Sequence, residues 1–226
     1  AFDENTPIDK VIDKSEKEIF DVAQTGTRSN FVHIKDLLKD AYERAERADS
    51  DEAYLGISTG FKDLDDLLGG FQKSDLIVLA ARPSVGKTAL ALDMMRHAAL
   101  QDKKTVAFFS LEMPAEQLML RLLSMQTSIQ LQSLRVGKID ADQQRRVDDA
   151  IVKVRKSHLF IDDQGSVNIN QLRSRLRKLK AQNPSIEMAV IDYLQIMSSV
   201  GNKARQEEVS EISRGLKMLA RELEMP

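Results

Sequence analysis

Residues 75–90 read Asp75-Leu-Ile-Val-Leu-Ala-Ala-Arg-Pro-Ser-Val-Gly86-Lys87-Thr88-Ala89-Leu90. An apolar run bounded by polar Ser74 and Asp75 predicts a strand buried on both faces of a parallel sheet over 76–81. From Gly86 the apolar residues Ala89, Leu90, Leu92, Met94 and Met95 follow helical spacing, so a helix opens directly after the turn. The turn between them, Ala81 to Thr88, fits the phosphate-binding P-loop pattern except that Ala81 stands at its first glycine. Ser84, Val85, Gly86, Lys87, Thr88 and Ala89 are therefore the expected nucleotide-binding stretch. Gly86 admits a close backbone approach, and the helix N-terminus offers unpaired N–H groups and a positive dipole end. Lys87 would reach the β- and γ-phosphates, and the Thr88 hydroxyl could ligate Mg²⁺. A Gly-Lys-Thr that merely caps a helix is the plainer alternative. The strand–loop–helix context argues against it.

From Leu55 onward strand and helix patterns alternate, which implies an α/β fold with a mainly parallel sheet. Further strands are expected at 105–110, 158–162 and 186–192. Helices are expected at 87–100, 115–125, 131–136, 141–156, 169–181 and 206–223, with a short helix within 57–68 before Gly69-Gly70. A nucleotide-hydrolysing site of this type needs a second acid near Mg²⁺, at the end of a neighbouring strand. The run Met188-Ala-Val-Ile-Asp192 ends in such a carboxylate at the sheet edge where α/β proteins bind ligands. Glu112, just past the strand at 105–110, has two open readings. It could orient and deprotonate water, or it could be an acidic residue favoured by the dipole at a helix start before Pro114.

Upstream, Thr6-Pro7 can open a helix whose Ile8, Val11, Ile12, Ile19 and Val22 form an apolar stripe, ending near Gly26. Residues 24–30 form a polar linker, and a second helix is expected at 35–48. The organisation is thus a docking helix over 1–25, a linker with a second helix over 26–54, and a main domain over 55–226. A lone amphipathic helix cannot bury its stripe on itself, so it should pack on another domain or subunit. The sequence stops at Glu224-Met225-Pro226 where a further strand would begin, so a longer parent chain is expected.

Composition narrows the remaining classes. The charged fraction of 30% and hydrophobic fraction of 42% suit a soluble globular domain. No apolar run is long enough to span a bilayer and the first residues are acidic rather than a basic, apolar leader, so a cytoplasmic chain with no membrane partner is expected. Zero Cys excludes disulfides and thiolate metal sites, while His33, His97 and His158 are too scattered to form a ligand cluster. A net charge of -2 means that any nucleic-acid contact is local. Lys203 and Arg205, in a polar stretch after the Asp192 strand, are candidates for such a loop, although ordinary loop composition explains them equally well. Arg173, Arg175, Arg177, Lys178 and Lys180 accompany Leu172, Leu176 and Leu179 at helical spacing and read as a charged outer face.

Together, Thr59-Gly-Phe-Lys-Asp-Leu-Asp65, Gly70-Phe-Gln-Lys-Ser-Asp-Leu, the Ala80-to-Thr88 turn, Phe109-Ser-Leu-Glu-Met113, Ile191-Asp-Tyr-Leu-Gln195 and Glu211-Ile-Ser-Arg-Gly-Leu-Lys217 closely resemble the bacterial DnaB-type replicative DNA helicases. The resemblance spans essentially the whole chain. It implies a RecA-like fold and a homohexameric ring that hydrolyses ATP with Mg²⁺ and moves 5′ to 3′ on single-stranded DNA. Primase and a helicase loader are the further partners it implies. On the matching positions, Lys87 and Thr88 would serve phosphate and Mg²⁺, Glu112 would be the catalytic base, and Asp192 the Mg²⁺-side acid. Lys203 and Arg205 would face DNA, and residues 7–24 would be the linker helix packed on the adjacent subunit. The family's N-terminal helical domain and its later strands, second DNA loop and arginine finger match nothing in the sequence. A RecA-like recombination or repair ATPase, or an interaction fragment without turnover, are the competing readings.

Overall fold

The computed structural model describes residues 56–165, 167–194 and 205–226, with 33–35, 38 and 42. The chain divides into two units, Ala1–Asp51 and Glu52–Pro226. In the first, positions Ile34, Lys35, Leu38 and Tyr42 are helical, in keeping with the second expected helix. The expected helix over 7–24, its linker, and Lys203 lie outside the described residues.

The second unit runs α1 (Lys62–Leu68), α2 (Lys87–Leu100), β1 (Thr105–Ser110), α3 (Ala115–Thr127), α4 (Leu131–Val136), α5 (Ala141–Arg155), β2 (Leu159–Asp162), α6 (Ile169–Gln182), β3 (Ile186–Asp192) and α7 (Arg205–Leu223). The strands form a parallel sheet in the order β2-β1-β3. Its register places Phe109 beside both Asp162 and Ile191, and Ser110 beside Asp192, so the chain ends of all three strands reach one edge.

Central β1 is buried along its whole length, as its unbroken Val-Ala-Phe-Phe run requires. Val106 and Phe108 join a core with Leu92, Met95, Leu118 and Leu122 from α2 and α3. Ala107 and Phe109 point to the other layer, against Leu172 and Leu176 of α6 and Ile212 and Leu216 of α7. The period-two alternation of one strand thus sorts the helices into two layers. Two helices begin with reciprocal capping boxes, Asp140 with Gln143 on α5 and Asn168 with Gln171 on α6. Between α6 and α7, a Cβ at Gly215 would lie 2.7 Å from Ile169 Cγ1, so only glycine allows that approach.

The strand expected at 76–81 is not formed. Among the described residues no strand pairs with it, and Ile77, Val78 and Leu79 are 43%, 67% and 39% exposed. An apolar run becomes a strand only when a neighbour satisfies its N–H and C=O groups. Here the run and β3 line a common cavity of about 390 Å³ instead of pairing. The run is held at its start by Lys217, whose Nζ donates to Ser74 O at 2.9 Å and approaches Asp75 Oδ1 at 3.2 Å.

Candidate nucleotide site

Gly86 turns the chain into α2 with φ 107°, a left-handed value that a side chain would strain, although a Cβ there would touch nothing. Ser84 two residues earlier is also left-handed, at φ 65°. No side chain caps the N-terminus of α2, so its first N–H groups keep the anion-binding character of a helix start. Lys87 and Thr88 occupy the first turn, where both side chains meet the end of β3. Thr88 Oγ1 donates to Asp192 Oδ2 at 2.7 Å across 104 residues of sequence. Lys87 Nζ lies 3.8 Å from Asp192 Oδ1 and 3.8 Å from the centroid of the Tyr193 ring.

Asp192 is only 3% exposed, and a carboxylate so buried requires compensation. Its two oxygens receive it from a hydroxyl and an ammonium. The hydroxyl and carboxylate oxygens of Thr88 and Asp192 are hard donors of the kind Mg²⁺ selects, and Mg²⁺ needs few protein ligands when phosphates supply others. The donor set therefore fits. Among the described residues no group of three His, Cys, Asp or Glu side chains could hold a metal by itself.

Glu112 sits two residues past β1, exposed, with no hydrogen bond or ion pair to the described residues. It lies just past the sheet edge that Asp192 also reaches, and no hydrogen bond or ion pair joins it to Lys87, Thr88 or Asp192. Its turn is nonetheless fixed: Ser110 Oγ donates to Met113 O at 2.6 Å, and Leu111 N donates to Asp192 O at 2.7 Å. Ser110 is 1% exposed, and the sequence motifs assign it no role. A hydroxyl closing an otherwise apolar strand is the signal that could have found it. Tyr193 enters the sequence reading only as part of a resemblance; its place over Lys87 depends on an approach between distant segments that no local pattern encodes.

Arg205 opens α7, apart from the cluster just described in sequence and without a described side chain. The charged face expected on α6 is largely paired: Arg175 with Asp162 at 3.2 Å, Arg177 with Glu222, and Lys180 Nζ donating to Ile186 O at 3.0 Å. The Arg177 guanidinium holds the Glu222 carboxyl below its usual range. A cavity of about 1050 Å³ lies by the other ends of the strands, near Lys104 and Ile186. Its Lys104 and Glu187 neutralise each other at 2.9 Å, and none of Lys87, Thr88 and Asp192 lines it, whereas Lys87 and Asp192 line the smaller cavity.

Comparison with known proteins places the chain in a family. The profile of the DnaB-like helicase C terminal domain matches residues 56–226. The replicative DNA helicase DnaB of Geobacillus stearothermophilus is 43% identical over 97% of this chain and 49% of its own length. That of Helicobacter pylori strain 26695 is 44% identical over 93% of this chain and 44% of its own. The chain thus spans about half the length of the curated relatives it matches. Among solved structures, one described as an ATPase domain superposes with a TM-score of 0.79 at 31% identity, covering 85% of this chain and 68% of that one. A DnaB-like replicative helicase described with its interactions with primase gives 0.76 at 30% identity, covering 95% of this chain and 51% of that one. With its parallel sheet, helical layers and P-loop turn, the chain has an α/β RecA-like fold and belongs to the DnaB-like helicase C-terminal domain family.

Proposed function

We propose that the chain is the ATP-hydrolysing motor part of a replicative DNA helicase. The observation that carries this reading is the convergence of Lys87, Thr88 and Asp192 at the start of α2 and the end of β3. In this reading Ser84 to Ala89 cradle the phosphates, and Lys87 offsets the charge that develops on the transferring phosphoryl group. Thr88 and Asp192 hold Mg²⁺, which when bound neutralises and orients the phosphates. Glu112 accepts the proton of the attacking water, and the hydrogen bonds of Ser110 and Leu111 fix the turn that carries it.

The longer parent protein then forms a hexameric ring in the cytoplasm, moves 5′ to 3′ on single-stranded DNA and meets primase and a loader. Lys203 and Arg205 face the DNA, and residues 1–25 pack as a helix on the neighbouring subunit. The relatives' names and the primase described with one structural neighbour support this extension. The test is ATP turnover by the parent protein with and without single-stranded DNA, alongside its mass in solution. Stimulated turnover by a species of six subunits is expected. Turnover indifferent to DNA, or a monomeric mass, overturns the motor reading.

A further inference from the structure

We propose that Tyr193 is a positioning residue for the P-loop lysine: its ring face holds the Lys87 ammonium beside Asp192, and a bound nucleotide must draw the ammonium off the ring. The inference rests on the nucleotide reading given above and names the residue that sets how readily Lys87 is released to a phosphate. Lys87 Nζ stands 3.8 Å from the ring centroid, well within the distance at which the negative face of an aromatic ring attracts a cation. The same nitrogen is 3.8 Å from Asp192 Oδ1, and the Lys87 side chain is 26% exposed. The ammonium is thus held on two sides, by a carboxylate and by a ring.

The two holds differ in what they do next. Asp192 also accepts the Thr88 hydroxyl bond and belongs to the metal-binding pair, so its attraction for Lys87 cannot be removed without removing the chemistry. Tyr193 is not among the hard oxygen donors, and its contact with Lys87 is made by the ring rather than the hydroxyl. A phosphate and the ring compete for one ammonium. An arrangement that stabilises the unreleased lysine lowers apparent nucleotide affinity by the same factor, since a ligand gains only its differential affinity for the two arrangements.

The experiment uses the whole chain and two readouts. In nuclear magnetic resonance without nucleotide, the Lys87 ε-methylene protons, assigned by their loss in Lys87→Arg, should be shifted upfield by the ring. The shift should survive Tyr193→Phe and vanish in Tyr193→Leu. Saturation with Mg²⁺ and a non-hydrolysable ATP analogue should abolish it in the wild-type chain. Calorimetric titration with the same analogue should show Tyr193→Leu binding about two- to fivefold tighter and Tyr193→Phe unchanged, the scale of a partly exposed cation–π contact. No upfield shift without nucleotide, a shift that persists at saturation, or a weaker-binding Tyr193→Leu each overturns the proposal. A wild-type chain that shows the shift but binds no analogue overturns the nucleotide reading itself, and this proposal with it. The wild-type titration decides even if Tyr193→Leu fails to fold.

Discussion

Residues 76–81 and β3 are both short apolar runs that end beside the same cluster, one delivering Lys87 and Thr88 and the other Asp192. Only β3 is a strand. Its backbone is laddered to β1 from Ile186 to Asp192, whereas the run at 76–81 makes no ladder among the described residues and leaves Val78 67% exposed. Hydrophobic patterning records what a segment is suited to bury; it carries no information about which neighbour supplies the hydrogen bonds. The site is therefore assembled from one rigid side and one side held by tethers, Lys217 at its start and Asp192 at its end.

The sharpest way to break this comparison is to cut the contact to which the proposed function assigns chemistry. Lys87→Ala should abolish ATP hydrolysis by the parent protein, a loss of at least about 10²-fold, because the phosphoryl charge loses its preorganised cation. Near-normal turnover would reduce the run and its turn to a surface loop beside β3. Glu112→Gln tests the laddered side. An amide can hold a water but cannot accept its proton, so nucleotide binding should persist while turnover falls by about 10²- to 10⁴-fold. Loss of binding together with activity would make Glu112 structural.

Stability should divide along the same line. Phe108, 1% exposed in the laddered sheet, should cost about 3–5 kcal/mol when changed to Ala, through lost burial and the cavity left between the α2 and α3 side chains. Val78→Ala in the unladdered run should stay within about 0.5 kcal/mol. Denaturant unfolding of the two variants measures both, and equal losses would mean that the run is packed and paired in solution as tightly as β1.

Where burial and local chemistry decide structure, the sequence is legible. The bounds of α2, α4, β1 and β3 coincide with those read from apolar runs and flanking turn residues. α3 runs on to Thr127 rather than Met125, with the Thr127 hydroxyl bonding back to Leu123 O at 2.7 Å. That Lys87, Thr88 and Asp192 should meet is legible because the proposed phosphate-and-metal site would demand those groups at strand and helix ends, and their side chains do converge. Tyr193 and Ser110 are not. The first acts through a contact between segments far apart in sequence, and the second through a turn whose shape follows from where β1 ends. The run at 76–81 misleads because its composition suits a ladder that the described residues do not provide.

A further expected loss, smaller than that of Phe108→Ala, concerns how the unladdered run is approached from upstream. There the chain is fixed less by a sheet than by one carboxylate: Asp65, 2% exposed, accepts the Ser58 hydroxyl at 2.6 Å and the Thr59 N–H at 2.8 Å, beside the single bridge of Ile57 with Phe71. Burial pushes its carboxyl up, but the bonds from Ser58, Thr59 and Gly60 outweigh this and hold it below the usual range. A depressed folded-state value means that the stabilisation is fully present above the ordinary carboxylate pKa, near ~4. It is lost as the pH falls through the lower folded value. Asp65→Asn keeps the shape but cannot accept both bonds equally, and should cost about 1.5–3 kcal/mol at neutral pH. Thermal unfolding of both chains from pH 7 downward should show that gap constant to about pH 5 and closing below about pH 4. A gap independent of pH across that window would mean that the Asp65 charge does not anchor the turn, and that the bridge between Ile57 and Phe71 suffices.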